Sequence, residues 1–333
     1  MFFKWVGANV GKRTQLLGDK LLAHLTKGGM PEKQAMDVAK SIAVCFGKLE
    51  TGKDKSPTSV MQLVFIGPEE WTKAFELADQ ALKGEKIHPL ASSVLRKADT
   101  AADIAMFGRM LTDKKSNDDA TDADEEKPSK KEKGDGGKRH QFGREAAVQV
   151  AHAMTTHRVV TEDDYYVAVD DLNLDEAGTS FIGSLEYGAG VYYLYACIDC
   201  ELLVKNLGGD ENRDLAKDIA QDALAALVEC AASVAPRGKQ ASFASRAKAS
   251  LVLAERGAVQ PRTLAAAFLK PVTPSDGAGD LAESSIDKLE KFRANVDGVY
   301  GPCAEASAKC VATSSRSEGT LAEVIQFARD SIV

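Results

Sequence analysis

The sequence predicts an α+β protein. Three observations carry that reading. Helical periodicity runs through the first 110 residues. Short apolar runs mixed with amphipathic segments fill the chain from 145 onward. Between them, residues 113–140 hold almost no apolar side chain. Of the 333 residues, 44% are apolar, enough to bury a core in one large domain or two modest ones.

Each element has its own signal. Pro31 opens a helix on which Ala35, Val38, Ile42, Cys45 and Phe46 share a face. Turn formers at 51–58 end that region. Val60 to Ile66 reads as a short strand closed by Gly67-Pro68, and Trp71, Phe75, Ala78 and Leu82 line the buried side of the next helix. In 113–140 an acidic block (Asp118, Asp119, Asp122, Asp124, Glu125, Glu126) meets a basic one (Lys127, Lys130, Lys131, Lys133, Lys138, Arg139). So little apolar surface cannot offset the entropy of ordering, so a disordered charged loop is expected, dispensable for folding. Beyond it, Glu145 to Thr156 reads as helix and Val191 to Leu203 as a long central strand. Asn206 to Asp210 is a turn. Asn212 to Val234 is an amphipathic helix with Leu215, Ile219, Leu224, Leu227 and Val228 inward; Ser250 to Glu255 is a strand; helices near 284–295 and 320–332 finish the chain.

Composition narrows function. A formal net charge of −7 points away from nucleic acid unless cations gather on one face. No run of about 18 apolar residues marks a membrane span, and Met1-Phe2-Phe3-Lys4-Trp5 lacks a signal-peptide layout. The six cysteines are read as reduced thiols in a cytoplasm.

The chemical motifs fail on context. Gly7 to Thr14 resembles a phosphate loop, but three residues separate Gly7 from Gly11 where four are needed, and Arg13 follows Lys12 where magnesium needs Ser or Thr. Cys197 and Cys200 have metal-site spacing, yet they fall on opposite faces of the expected strand with no second ligand pair. His152 and His157 are five apart, not the four that aligns ligands on a helix. The pairs Asp163-Asp164 and Asp170-Asp171 lack the distant partners a two-metal nuclease needs. No catalytic residue, metal or cofactor is expected. Tyrosines concentrate at 165, 166, 187, 192, 193 and 195; composition alone favours packing, and base stacking is the functional alternative.

Residues 145–205 go further. Ala147-Val148-Gln149-Val150-Ala151-His152-Ala153-Met154-Thr155-Thr156-His157, then Asp163 to Leu172, then Ile182-Gly183-Ser184-Leu185-Glu186-Tyr187 into Val191 to Ala196, resemble the signature of the CasC-type backbone subunit (RAMP superfamily) of the type I-E CRISPR Cascade complex. Ala102 to Met110 upstream, and Pro236 to Ala244 and Pro261 to Phe268 downstream, agree in order, so the resemblance spans nearly the whole chain.

The resemblance implies an RRM-like (ferredoxin-like) palm, a helical finger region and a β-hairpin thumb. On that pattern residues 1–112 are a remnant of the palm plus the fingers, 113–140 the charged loop, and 141–333 the palm with its thumb near 175–190. It implies a subunit with no catalysis of its own, polymerising along crRNA for antiviral defence. Its partners would be crRNA, target DNA through the guide, further copies of itself, other Cascade subunits and a recruited helicase-nuclease, with no membrane. Lys12, Arg13, Arg109 and Lys239 become candidate phosphate ligands, joined by His152, His157 and Gln240, and Tyr187 becomes the thumb aromatic beside a displaced base. The family also carries an N-terminal strand and basic helix that this sequence lacks, so uncovered palm surface and weak assembly of the chain alone are expected. A metal-dependent RNA nuclease on a related hand, and a protein-only filament scaffold, are the competing readings.

Overall fold

The computed structural model describes residues 2–52, 55–111, 142–169, 179–273 and 280–333. The expected charged loop at 113–140 and the pair Asp170-Asp171 lie outside the described residues. Helices and small antiparallel sheets alternate, an α+β arrangement, and the chain divides into two compact units. The first comprises Met1–Gln149, Ile198–Val234 and Ile325–Val333; the second comprises Val150–Cys197 and Ala235–Val324.

The first unit opens with α1 (Phe2–Val6) and β1 (Lys12–Thr14), followed by α2 (Leu17–Lys27) and α3 (Glu32–Ala43). Strand β2 (Val64–Ile66) pairs antiparallel with β1, Arg13 opposite Phe65. Pro31 sits at the N-cap of α3, and Pro68 is the first residue of α4 (Pro68–Leu82), where a proline costs no backbone donor. Leu17, Leu21, Leu25, Ala35, Ala39, Ile42, Ala74 and Ala78 close one core among α2, α3 and α4. The short helices α5 (Ala91–Val94) and α6 (Ala102–Phe107) follow.

A second core joins Val6, Met106 and Leu203 to an alanine-rich face of α8 (Arg213–Ser233): Ala216, Ala220 and Ala223 with Ile219 and Leu224. Leu215, expected inward, is 46% exposed, because the small residues rather than the leucine form the buried stripe. Asn212 caps α8 by accepting from the Leu215 N–H at 3.2 Å.

Two expectations fail between 145 and 205. Glu145 to Thr156 is not helical; it forms β3 (Val148–Val150) and β4 (Met154–Thr155). Backbone bonds from Ala151 to Tyr195 and from Thr156 to Val191 hold it extended. The long run from Val191 is not one strand but β7 (Tyr192–Tyr193), β8 (Ala196–Ile198) and then α7 (Cys200–Asn206). Asp199 is the cause: its carboxylate accepts from the Leu202 N–H at 2.9 Å and starts a helix inside the apolar run. Cys197 therefore lies on a strand and Cys200 opens a helix, both half-buried and neither in a disulfide.

The second unit holds an antiparallel ribbon of β5 (Glu162–Val169) and β6 (Thr179–Tyr187), running from Glu162 opposite Tyr187 to Val169 opposite Thr179. A three-stranded antiparallel sheet has β10 (Ala306–Ala312) between β9 (Leu251–Arg256) and β11 (Ser317–Glu318); β10 and β11 were not expected. A single turn, α9 (Gln240–Phe243), precedes β9. Helix α10 (Leu281–Tyr300), capped by Asp280, packs Leu289 against Leu264, Phe268 and Val272. Helix α11 (Leu321–Arg329) ends the chain. Among the described residues no helix is long and apolar enough to cross a membrane.

Candidate nucleic-acid interface

Among the described residues the β5–β6 ribbon pairs with no third strand, and two strands alone are marginal in water. Side chains from both of its faces are exposed: Tyr165, Tyr166, Val167, Phe181 and Ile182. The ring of Tyr166 lies over Gly183, its cross-strand partner, where a Cβ would sit 2.5 Å from the ring. A glycine is required at that position for the aromatic to cover the strand. No Lys or Arg occurs from Val159 to Val204, whereas Glu162, Asp163, Asp164 and Glu186 stand exposed at the base of the ribbon. Asp163 and Glu186 face each other directly, an unfavourable pairing that phosphate would worsen.

Tyr187 ends β6. Its hydroxyl donates to Glu162 Oε2 at 2.9 Å, and this bond to a carboxylate holds the phenol above its ordinary pKa. Its ring meets Phe243 of α9, with centroids 5.6 Å apart and planes tilted by 32°. That contact joins the acidic ribbon to a segment of opposite character. From Cys230 to Ala254 there is no acid, and Arg237, Lys239, Arg246 and Lys248 fall within it. Residues 236–239 and 241–249 are exposed, and none of the four cations forms an ion pair among the described residues. Lys239, at the N-cap of α9, has φ 55°, and Gln240 Nε2 donates to the Pro236 carbonyl at 3.4 Å.

The expected site residues thus separate into groups. Tyr187, Lys239 and Gln240 share one neighbourhood in the second unit, with Phe243 as the residue that sequence reasoning did not single out. His157 bonds Val191, four residues beyond Tyr187, and both of its ring nitrogens are engaged. Nε2 accepts from the Val191 N–H at 3.0 Å, so Nδ1 carries the proton toward the Arg158 carbonyl at 2.7 Å. His152 is exposed. In the first unit Lys12 Nζ sits 4.0 Å above the Trp71 ring, and the Arg13 guanidinium 5.3 Å from the Phe65 ring centroid. Both cations are exposed on β1.

Arg109 needs correction as a phosphate ligand. It is 5% exposed and forks onto both carboxylate oxygens of Glu70, at 2.5 and 2.9 Å. It also donates to the carbonyls of Phe65, Arg96 and Phe142. Arg144 beside it binds Asp99 at 2.8 Å, and the two arginines exchange backbone hydrogen bonds. A guanidinium so enclosed has no donor turned to solvent.

The tyrosines also divide. The Tyr193 hydroxyl accepts from the Leu264 N–H at 2.9 Å and its ring packs on Phe268. Burial pushes the Tyr195 phenol up to about 12. These two are packing residues, whereas Tyr165, Tyr166, Tyr187 and Tyr192 present surface. Among the described residues no group of three or more His, Cys, Asp or Glu side chains is arranged to hold a metal ion.

The fold is that of a chain from a CRISPR RNA-guided surveillance complex in a pre-nicking state. The two align with a TM-score of 0.71 at 20% identity, over 98% of this chain and 89% of that one. A chain of another CRISPR RNA-guided surveillance complex is 23% identical over 56% of this chain and 71% of its own, with a TM-score of 0.47. No curated protein matches. The chain belongs to the CT1975-like protein family, a Cas family whose model it matches over residues 4–123 and 137–331.

Proposed function

We propose that the chain is a non-catalytic, crRNA-binding backbone subunit of a CRISPR surveillance complex, of the CasC type found in type I-E Cascade. In this reading the β5–β6 ribbon is the thumb of a hand whose RRM-like palm and helical fingers come from the rest of the chain. Copies assemble along the guide in the cytoplasm, beside other Cascade subunits. Target DNA is met through the guide, and a recruited helicase-nuclease does the cutting.

One observation carries the reading: the Tyr187–Phe243 ring pair stands between an acid-free, exposed cationic segment and an acidic ribbon. Phosphates are drawn to the cations and repelled by the ribbon, so a single strand lying there turns its bases toward the rings. Stacking on an aromatic face is indifferent to base identity, as a holder of many guides requires. Lys239 and Gln240 are the phosphate contacts at this site. Lys12 and Arg13, backed by Trp71 and Phe65, are a second set in the other unit.

The test is to purify the chain with its operon neighbours and sequence any bound small RNA. Repeat-flanked guides of uniform length are expected; RNA-free protein or random fragments would overturn the proposal. Incubating the same complex with labelled RNA and magnesium addresses the nuclease alternative, and regularly spaced cuts would refute the non-catalytic reading.

A further inference from the structure

Lys239, at φ 55°, and Ala244, at φ 49°, are the only non-glycine residues with positive φ among the described residues. They bracket the single turn of α9. Left-handed backbone at a side-chain-bearing residue persists only where its surroundings enforce it. Here little does. Ser242 and Phe243 N–H both bond the Lys239 carbonyl, and Ala244 N–H bonds that of Gln240, all inside the turn. Apart from the Tyr187–Phe243 ring contact, residues 236–249 are almost wholly exposed. One isolated helical turn has no stability of its own.

We infer that the segment 236–249 is a clamp that becomes ordered on single-stranded RNA, the phosphates fixing a left-handed turn that the free protein holds only part of the time. The inference rests on the RNA-binding reading and deepens it. Arg237, Lys239, Arg246 and Lys248 surround the turn with positive charge and no acid. A phosphate backbone drawn across them supplies the external constraint that packing does not. Phe243, placed by the same turn, sets its ring against Tyr187. Binding of phosphate and formation of the aromatic platform are thereby one event.

The four cations are also trypsin sites, which makes the event readable. The full chain is digested briefly with and without a single-stranded oligouridylate, and the cuts are mapped by mass spectrometry. Affinity is measured separately by filter binding. Cleavage within 236–249 in the free protein and protection on binding are expected. Ala244→Gly removes the strain without touching a charge. It should tighten RNA binding about fivefold, with an unchanged salt slope and an unchanged melting temperature. If RNA binds but the segment is cut equally with and without it, the clamp is wrong and the RNA-binding reading survives. If Ala244→Gly weakens binding or leaves it unchanged, the left-handed turn is not the bound form and the inference fails. If the oligouridylate does not bind at all, both fail.

Discussion

Two groups of cations in this molecule do opposite things. In the first unit, Arg109 and Arg144 have side chains 1% exposed, each facing a fully buried carboxylate, Glu70 and Asp99. Their guanidinium groups draw together residues 65–70, 96–99 and 142–144, which is structural work. In the second unit, Arg237, Lys239, Arg246 and Lys248 stand in solvent with no carboxylate partner among the described residues. Charge type is the same in both sets. What differs is whether folding delivered an acid to the cation. A paired, buried guanidinium is consumed by the fold, and an unpaired exposed one projects a field that a polyanion can use.

The largest effect should come from breaking the buried set. Arg109→Ala leaves the Glu70 carboxyl enclosed without its partner, and should cost about 3–5 kcal/mol of stability in chemical denaturation. Arg109→Lys should restore little, because an ammonium cannot fork onto both carboxylate oxygens. A stable Arg109→Ala protein with weakened RNA binding would break the comparison by making Arg109 a surface ligand.

Tyr187→Ala should reduce RNA affinity about tenfold per subunit. The loss should be alike for guides of different sequence and leave the salt slope unchanged, since no charge is removed. A lowered melting temperature of the RNA-free protein with unaltered affinity would make Tyr187 a packing residue instead. Tyr187→Phe sharpens the test by keeping the ring and dropping only the bond to Glu162.

The smallest effect concerns an acid consumed by the fold as Arg109 is. Glu283 is held below its ordinary pKa by the Ser315 and Thr313 hydroxyls, the Ser315 N–H and Ser314. A carboxyl with a depressed folded value contributes stability that is complete above about 4.5, the unfolded value, and is lost as pH falls through the folded one. Wild-type melting temperature should therefore decline below that pH, and Glu283→Gln should decline less over the same window. Parallel curves would remove Glu283 from the account.

Much of the fold was legible because its signals are local. Pro31 announced a helix start, Gly67-Pro68 announced the end of a strand, and the apolar periodicity of α3 and α4 named residues that the cores contain. Glu145 to Thr156 was misread because Val148, Ala151 and Met154 fit a helical spacing, while the strand is enforced by partners some forty residues on. The role of Arg109 could not be read, since its carboxylate lies 39 residues away. Of the candidate site, Tyr187 and Lys239 are candidates through the family resemblance, and Phe243 was missed because only folding sets it against Tyr187. One signal was available and unused: the acid-free stretch from 230 to 254 with its four cations.

Segment 236–249 is the proposed phosphate-holding surface, and the salt dependence of RNA binding tests that most directly. Affinity for a single-stranded RNA would be measured against salt for the wild type and for a variant carrying Arg237→Gln, Lys239→Gln, Arg246→Gln and Lys248→Gln. Each lost phosphate contact lowers the slope of log K against log salt by about 0.7 on a single strand, so the variant should be shallower by about 3 with its melting temperature unchanged. Equal slopes for the two proteins, each binding RNA, would place the phosphate contacts elsewhere and contradict the account.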